Sequence, residues 1–394
     1  MKLAGITWWR NNYGSILQAY ALQTALASVG GVQYEILCQY GKEIGSLDNL
    51  LDKWKTYGLA ETVHRAFWRF GIPPLRKRSA AIQNFVHQNL RVSEQQYSES
   101  TIGEANARYD GFLCGSDQIW NPTLTDVHSM YWLTFAQEDK LKIAYAPSIG
   151  AEALSEPQKT AIRENLSRFQ AISCREESGT RLLNAVLGEE KCQTVLDPTL
   201  LVSRTLWDQM SAETEQTEPY LFVYLLRGTK AQRRMAEAFA ARNHLKIYTM
   251  PFLDTEHIVW YDWKFGDRKI WAADPADFVS LIRNAAYVVT DSFHAMVFSC
   301  LYHKTYFAFQ KRGAAQHSRM ADLQQLLGIE NRIMDDSVSA IDEADFGTIP
   351  WDLAEERLQR AREKSKQYLL SALEMQGTSG GTVWFMHTKM KTGS

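Results

Sequence analysis

His294 is the residue with the clearest chemical use in this chain. It follows Val288-Val289-Thr290-Asp291-Ser292-Phe293, an apolar run that ends in an acid and a hydroxyl. That order predicts a strand ending at Asp291, a helix capped by Ser292, and His294 in the first helical turn. A helix N-terminus offers free N–H groups and partial positive charge, which suits an anion. An imidazole placed there can serve as general acid toward an anionic substrate. The plainer reading is a buried, hydrogen-bonded histidine, and spacing alone does not separate the two.

Three other junctions share the form of an apolar run followed by small polar residues. In Ser173-Cys174-Arg175-Glu176-Glu177-Ser178-Gly179, Arg175 can fork onto a carboxylate or phosphate. A surface pair with Glu176 or Glu177 is the competing reading. Gly115-Ser116-Asp117-Gln118-Ile119-Trp120-Asn121-Pro122 offers Ser116, Asp117 and Gln118. Asn11-Asn12-Tyr13-Gly14 offers Asn12 and Gly14. Lys311 and Arg312, after the run Thr305–Phe309, add positive charge at the same edge. Ligands of open α/β sheets bind beyond the carboxyl ends of strands, so these junctions can converge on one cleft.

The elements that must position them alternate strand and helix. Leu3–Trp9, Val32–Leu37, Tyr109–Cys114, Lys142–Pro147 and Ala171–Cys174 read as strands, with helices over Ser15–Val29 and from Ser155 to Phe169. That alternation predicts a mainly parallel, helix-covered sheet. Gln209–Pro219 is polar and acidic and reads as a linker. A second α/β unit follows from Tyr220, with Asp274-Pro275 capping one of its helices. The expected organisation is an N-terminal α/β domain over 1–204, a C-terminal α/β domain over 220–348, a helix over 349–376 and a loose tail over 377–394. Residues 45–100 interrupt the first domain with a helical pattern rich in Lys53, Trp54, Arg65, Trp68 and Arg76-Lys77-Arg78. Such a segment either packs its aromatics inward or lies on an anionic membrane surface.

Composition bounds the function classes. The 394 residues exceed the ~250–300 at which single cores stop growing. Lys plus Arg is 43 and Asp plus Glu is 45, so no overall field exists to hold nucleic acid. The five cysteines are scattered without a CxxC, which predicts buried thiols rather than disulfides or zinc. No HExxH, GxSxG, P-loop or early GxGxxG occurs, and no histidine spacing fits a metal site. The opening reaches polar Arg10 too soon for a signal peptide, and no run of 18 apolar residues occurs, so a cytoplasmic location is expected.

Six segments in order resemble the polysaccharide pyruvyl transferase family. They are Asn12-Tyr13-Gly14, Gly115–Trp120, Tyr145-Ala146-Pro147-Ser148-Ile149-Gly150, Ser173–Glu176, Asp197-Pro198-Thr199-Leu200 and Asp291–Ala295. The resemblance runs from residue 12 to about 328. It implies two Rossmann-like domains facing across a cleft, as in GT-B glycosyltransferases. It also implies transfer of a pyruvyl group from phosphoenolpyruvate to a sugar, as a ketal, with phosphate released and no metal or other cofactor. His294 becomes the expected acid and Arg175 a ligand of phosphoenolpyruvate, with Lys311 or Arg312 as a further cation. The chemistry of such a transfer also needs a base for the sugar hydroxyl, for which Asp117 and Asp291 are the candidates. Many relatives carry Arg-Leu-His where this chain has Ser292-Phe293-His294, so Arg319 or Arg227 is the candidate to supply the missing cation. The basic segment 45–100 suits a lipid-linked oligosaccharide acceptor at the inner membrane face. Two rivals stand beside this reading: a glycosyltransferase using a nucleotide sugar, and a catalytically silent binding protein of polysaccharide assembly.

Overall fold

The computed structural model describes residues 1–10, 12–39, 73–211, 218–226, 228–252, 260–310, 314–335, 337–342 and 346–374. Seven strands form the first sheet: β1 Lys2–Ile6, β2 Gln33–Cys38, β3 Val92–Gln96, β4 Gly111–Cys114, β5 Leu141–Ala144, β6 Ala171–Cys174 and β7 Cys192–Thr194. Their order is β3-β2-β1-β4-β5-β6-β7 and every pairing is parallel. Six strands form the second: β8 Tyr220–Tyr224, β9 Lys246–Thr249, β10 Arg268–Lys269, β11 Tyr287–Thr290, β12 Thr305–Phe309 and β13 Ile333–Met334. Their order is β10-β9-β8-β11-β12-β13, again all parallel.

The helices are α1 Tyr13–Ala27, α2 Pro73–Asn89, α3 Glu156–Ser167, α4 Glu177–Leu187, α5 Pro198–Leu201, α6 Arg204–Met210, α7 Lys230–Arg242, α8 Pro275–Asn284, α9 Phe293–Leu301, α10 Ala314–Leu327 and α11 Trp351–Glu374. Central strands are buried along their whole length because helices cover both faces. All of Tyr220–Tyr224 is buried, as are β4, β5 and β6.

Both sheets reverse their winding once, between β1 and β4 and between β8 and β11. Such a reversal opens a crevice at the carboxyl ends of the two strands. The two crevices are joined through α1. Tyr13 stacks on Phe278 of α8 with ring centres 5.5 Å apart, and its hydroxyl donates to the Ala273 carbonyl at 2.9 Å. One continuous apolar core includes Leu3 and Leu17 from the first domain and Phe222 and Phe278 from the second.

Three features depart from the sequence reading or fall outside it. Val92–Gln96 is a strand, although 45–100 reads as helical. It is a polar edge strand paired only to β2, so no apolar run announces it. The span 73–89 is the helix α2, and residues 40–72 lie outside the described residues. Arg78 of the basic triplet is buried, with its Nε donating to the Tyr13 hydroxyl at 3.0 Å, while Arg76 and Lys77 are exposed. The final helix α11 returns to the first domain. Arg362 Nε donates to the Leu200 carbonyl at 2.9 Å, and the Tyr368 hydroxyl donates to the Ala144 carbonyl at 2.8 Å. The tail from residue 375 lies outside the described residues.

Candidate active site

The two crevices bring residues from both domains into one buried cluster. Arg175 leaves β6 with its guanidinium turned inward, 2.6 Å from Asp197 Oδ2 through Nη1. The same group lies 4.0 Å from Asp117 and 4.0 Å from Glu176. Glu177 does not compete for it, because Glu177 pairs with Arg181 on the exposed face of α4 at 2.7 Å. The surface-pair reading of Arg175 therefore gives way to a buried one.

Asp197 is the hub. Asp197-Pro198 places a cap and a proline at the start of α5. Its Oδ1 accepts from the Thr199 amide at 3.0 Å and the Thr199 hydroxyl at 2.6 Å. Its Oδ2 faces Arg175 and lies 3.6 Å from His294 Nε2. Burial alone would push this carboxyl up. The opposing charges of His294 and Arg175, with the Thr199 hydroxyl, outweigh that and hold it well below the usual carboxylate range. Sequence reading placed Asp197 in a motif but gave it no task.

His294 reaches the cluster from the other domain, in the first turn of α9, where Ser292 caps through an acceptor contact from the Ala295 amide at 3.5 Å. Its ring lies against Gly14. A Cβ built on Gly14 would overlap the imidazole at Nδ1 and Cγ, so only glycine permits this approach. Asn12 caps α1 by accepting from the Gly14 amide at 2.9 Å, and thereby fixes that close point.

Phe293 holds two arginines. Arg175 lies over its ring at 4.5 Å and Arg319, from α10, at 5.6 Å. Burial, reinforced by the nearby Arg175 charge, pushes Arg319 down to about 10. A cavity of about 220 Å³ opens beside them, lined by Arg175, Glu176, Asp197, Phe293, Arg319 and Asp322 among others. Within the buried cluster Arg175 Nε, Arg175 Nη2, Arg319 Nε and His294 Nε2 have no hydrogen-bond partner. Each buried polar atom left unpaired costs about 1–3 kcal/mol, and acceptor oxygens of a bound anion would satisfy all four.

The remaining sequence candidates divide. Asp117 joins the cluster, accepting from the Ser15 hydroxyl through Oδ2 and from the Gln118 amide through Oδ1 at 2.8 Å. Ser116 is scaffold: its hydroxyl donates to Ala146 at 2.7 Å and its amide to Gln18 at 3.1 Å. Gln118 accepts from Asn121 Nδ2 at 3.2 Å and holds its own loop. Asp291 accepts from the Leu226 amide at 2.6 Å, tying the ends of β11 and β8. Lys311, Arg312 and Arg227 lie outside the described residues. Glu176 was missed as a site residue. Its Oε1 accepts from the Ser148 hydroxyl and the Ile149 amide, each at 2.9 Å, and clamps the loop after β5. Among the described residues no group of three His, Cys, Asp or Glu is arranged to hold a metal ion, and no helix is long and apolar enough to cross a membrane.

A family model for polysaccharide pyruvyl transferase matches residues 12–309. No curated protein sequence matches the chain. The solved structure of UDP-GlcNAc 2-epimerase from Methanocaldococcus jannaschii is similar with a TM-score of 0.51 at 11% identity, over 95% of this chain and 100% of that one. S. aureus MnaA, in a UDP co-structure, gives a TM-score of 0.51 at 9% identity, over 95% of this chain and 96% of that one. These likenesses are of fold, two facing Rossmann-like domains of the GT-B type.

Proposed function

The chain belongs to the polysaccharide pyruvyl transferase family, and on that premise we propose that it moves a pyruvyl group from phosphoenolpyruvate to a sugar. Membership makes it a transferase acting on polysaccharide. The proposed product is a ketal on two hydroxyls of a cell-surface polysaccharide or its lipid-linked precursor, with phosphate released.

The observation that carries the reading is the set of unpaired, buried donors on Arg175, Arg319 and His294 around Phe293. Phosphoenolpyruvate presents a carboxylate and a phosphate, and planar guanidinium forks suit both. The cavity of about 220 Å³ is smaller than the ~300–1,000 Å³ of drug-sized ligand sites, a scale that suits a small dianion.

The steps follow from the residue types. His294 gives a proton to the methylene carbon of the enol, leaving an oxocarbenium-like centre at the neighbouring carbon. One sugar hydroxyl bonds to that centre and its proton passes to a carboxylate. Asp117 is the candidate for that base because it stands in the cluster beside Arg175, whereas Asp291 ties the ends of β11 and β8. The second hydroxyl then displaces phosphate, and its proton leaves with the phosphate. Asp197 faces the edge of His294 and stabilises the charged ring before transfer.

Thermal stabilisation tests the donor directly. Phosphoenolpyruvate at 100 times its Kd should stabilise the fold by ~2.7 kcal/mol, while UDP-sugars should leave it unchanged. Stabilisation by a UDP-sugar and none by phosphoenolpyruvate would reverse the reading.

A further inference from the structure

We propose that Tyr261, Trp263 and Trp271 form a stacking platform that holds the acceptor saccharide beside the reaction centre. The proposal rests on the polysaccharide acceptor of the preceding reading and assigns it a binding surface. Tyr261 and Trp263 are 48% and 42% exposed, large values for such side chains. They lie in the short 3₁₀ helix Trp260–Trp263, on either side of Asp262. Asp262 points the other way, into the domain, where Oδ1 accepts from Arg233 Nε at 2.7 Å with both partners buried. Arg233 also donates to the carbonyls of Gly228 and Thr229 at the start of α7.

Burying an ion pair carries a desolvation cost that good geometry only offsets. Here that pair pins a turn whose outward residues are aromatic. Trp271 completes the surface, its ring centre 4.9 Å from that of Trp263 at an angle of 43°. Aromatic rings carry a negative face and a positive edge. The C–H bonds of a pyranose are electron-poor on one side of the ring, so that side lies favourably on such faces. Lys230, whose Nζ is 4.9 Å from the Tyr261 ring centre, adds a hydrogen-bond donor for sugar hydroxyls.

Position selects the occupant. Asp262 is tied to the segment after β8 through Arg233, which donates to the Gly228 carbonyl. Trp271 stands just past the end of β10. His294 stands just past the end of β11 in the same sheet. With β8 and β9 between β11 and β10, the platform lies two to three strand spacings from the acid, ~10–15 Å. That is the reach of a short oligosaccharide whose terminal sugar sits at the reaction centre. Contiguous exposed aromatic surface at that edge suits a ligand-binding role.

The test uses the full chain and two readouts. Saturation-transfer NMR would measure binding of cellohexaose, maltohexaose and a galacturonate hexamer to wild type, Trp263→Ala and Trp271→Ala. Wild type should bind at least one hexamer, and each variant should bind it about tenfold more weakly, the scale of a truncated aromatic anchor. Thermal stabilisation by phosphoenolpyruvate should be unchanged in both variants, which shows that fold and donor site are intact. Equal hexamer binding in wild type and variants, or no hexamer binding by wild type, overturns the platform. Loss of the phosphoenolpyruvate response in wild type would overturn the donor reading instead, and the binding arm would still report on the platform.

Discussion

Asp197 of the first domain and His294 of the second face each other across the cleft, Oδ2 to Nε2, at 3.6 Å. The same oxygen takes the Arg175 guanidinium at 2.6 Å, while the other oxygen caps α5. One carboxylate therefore divides its work. Oδ1 serves the fold, and Oδ2 faces the two side chains that the proposed reaction brings to the substrate.

Asp197→Asn separates those tasks. Asparagine remains a good cap, so the α5 start should survive. Its amide carries no negative charge to set against the Arg175 guanidinium and the His294 ring. Turnover should fall by about 10²-fold or more while the circular dichroism spectrum is retained. The stability effect has a defined sign. A carboxyl held below its unfolded value stabilises the fold above an ordinary pKa of ~3.9 and loses that contribution as pH falls through the lower range. The gap in Tm between wild type and Asp197→Asn should be widest near pH 7 and shrink below about pH 4. A gap independent of pH would show that the charge is unimportant.

Arg319 is expected to trade stability for binding. Its charge is buried, and its pKa near 10 means that folding disfavours the protonated form. The penalty is present at every pH below about 10 and vanishes only above the unfolded value, where arginine is neutral in both states. Replacing it by an apolar side chain of similar volume removes that desolvation penalty. Arg319→Met should raise Tm and lose the stabilisation that phosphoenolpyruvate gives the wild type. A lower Tm with an intact donor response would show that Arg319 is structural.

Gly14→Ala probes the approach of α1 to the imidazole. Alanine is favoured over glycine within a helix by about 1 kcal/mol, so α1 itself should tolerate the change. The added methyl would push His294 out of its place. The expected result is a large fall in kcat with a small change in the Michaelis constant for the donor. Unchanged kcat would mean that the ring moves freely and its present position is immaterial.

The alternation of strand and helix was legible in the residues. Val288–Thr290 and Thr305–Phe309 are apolar enough to announce buried parallel strands, and Asp274-Pro275 caps α8 as its pattern predicts. Val92–Gln96 was not legible, because an edge strand paired on one side can be polar. The destination of α11 was hidden for a different reason. Its periodicity shows an apolar face but not what that face covers: Trp351 and Arg357 meet the second domain, while Arg362 and Tyr368 reach the first. The site divided in the same way. His294 and Arg175 stood at strand ends that a parallel sheet must gather. Asp197 stands between β7 and a helix of four residues, where the sequence does not show that it meets Arg175 and His294, and the closeness of Gly14 to His294 is a contact across 280 residues that no local pattern encodes.

Phosphate release from phosphoenolpyruvate in the presence of polysaccharide or lipid-linked acceptors, for wild type and His294→Ala, tests the central claim most directly. The account predicts acceptor-dependent release by the wild type and a fall of ~10²–10⁴-fold in the variant, the contribution of a positioned acid. Release that persists near the wild-type rate in His294→Ala would contradict the assignment of the acid. No acceptor-dependent release by the wild type would contradict the transfer itself.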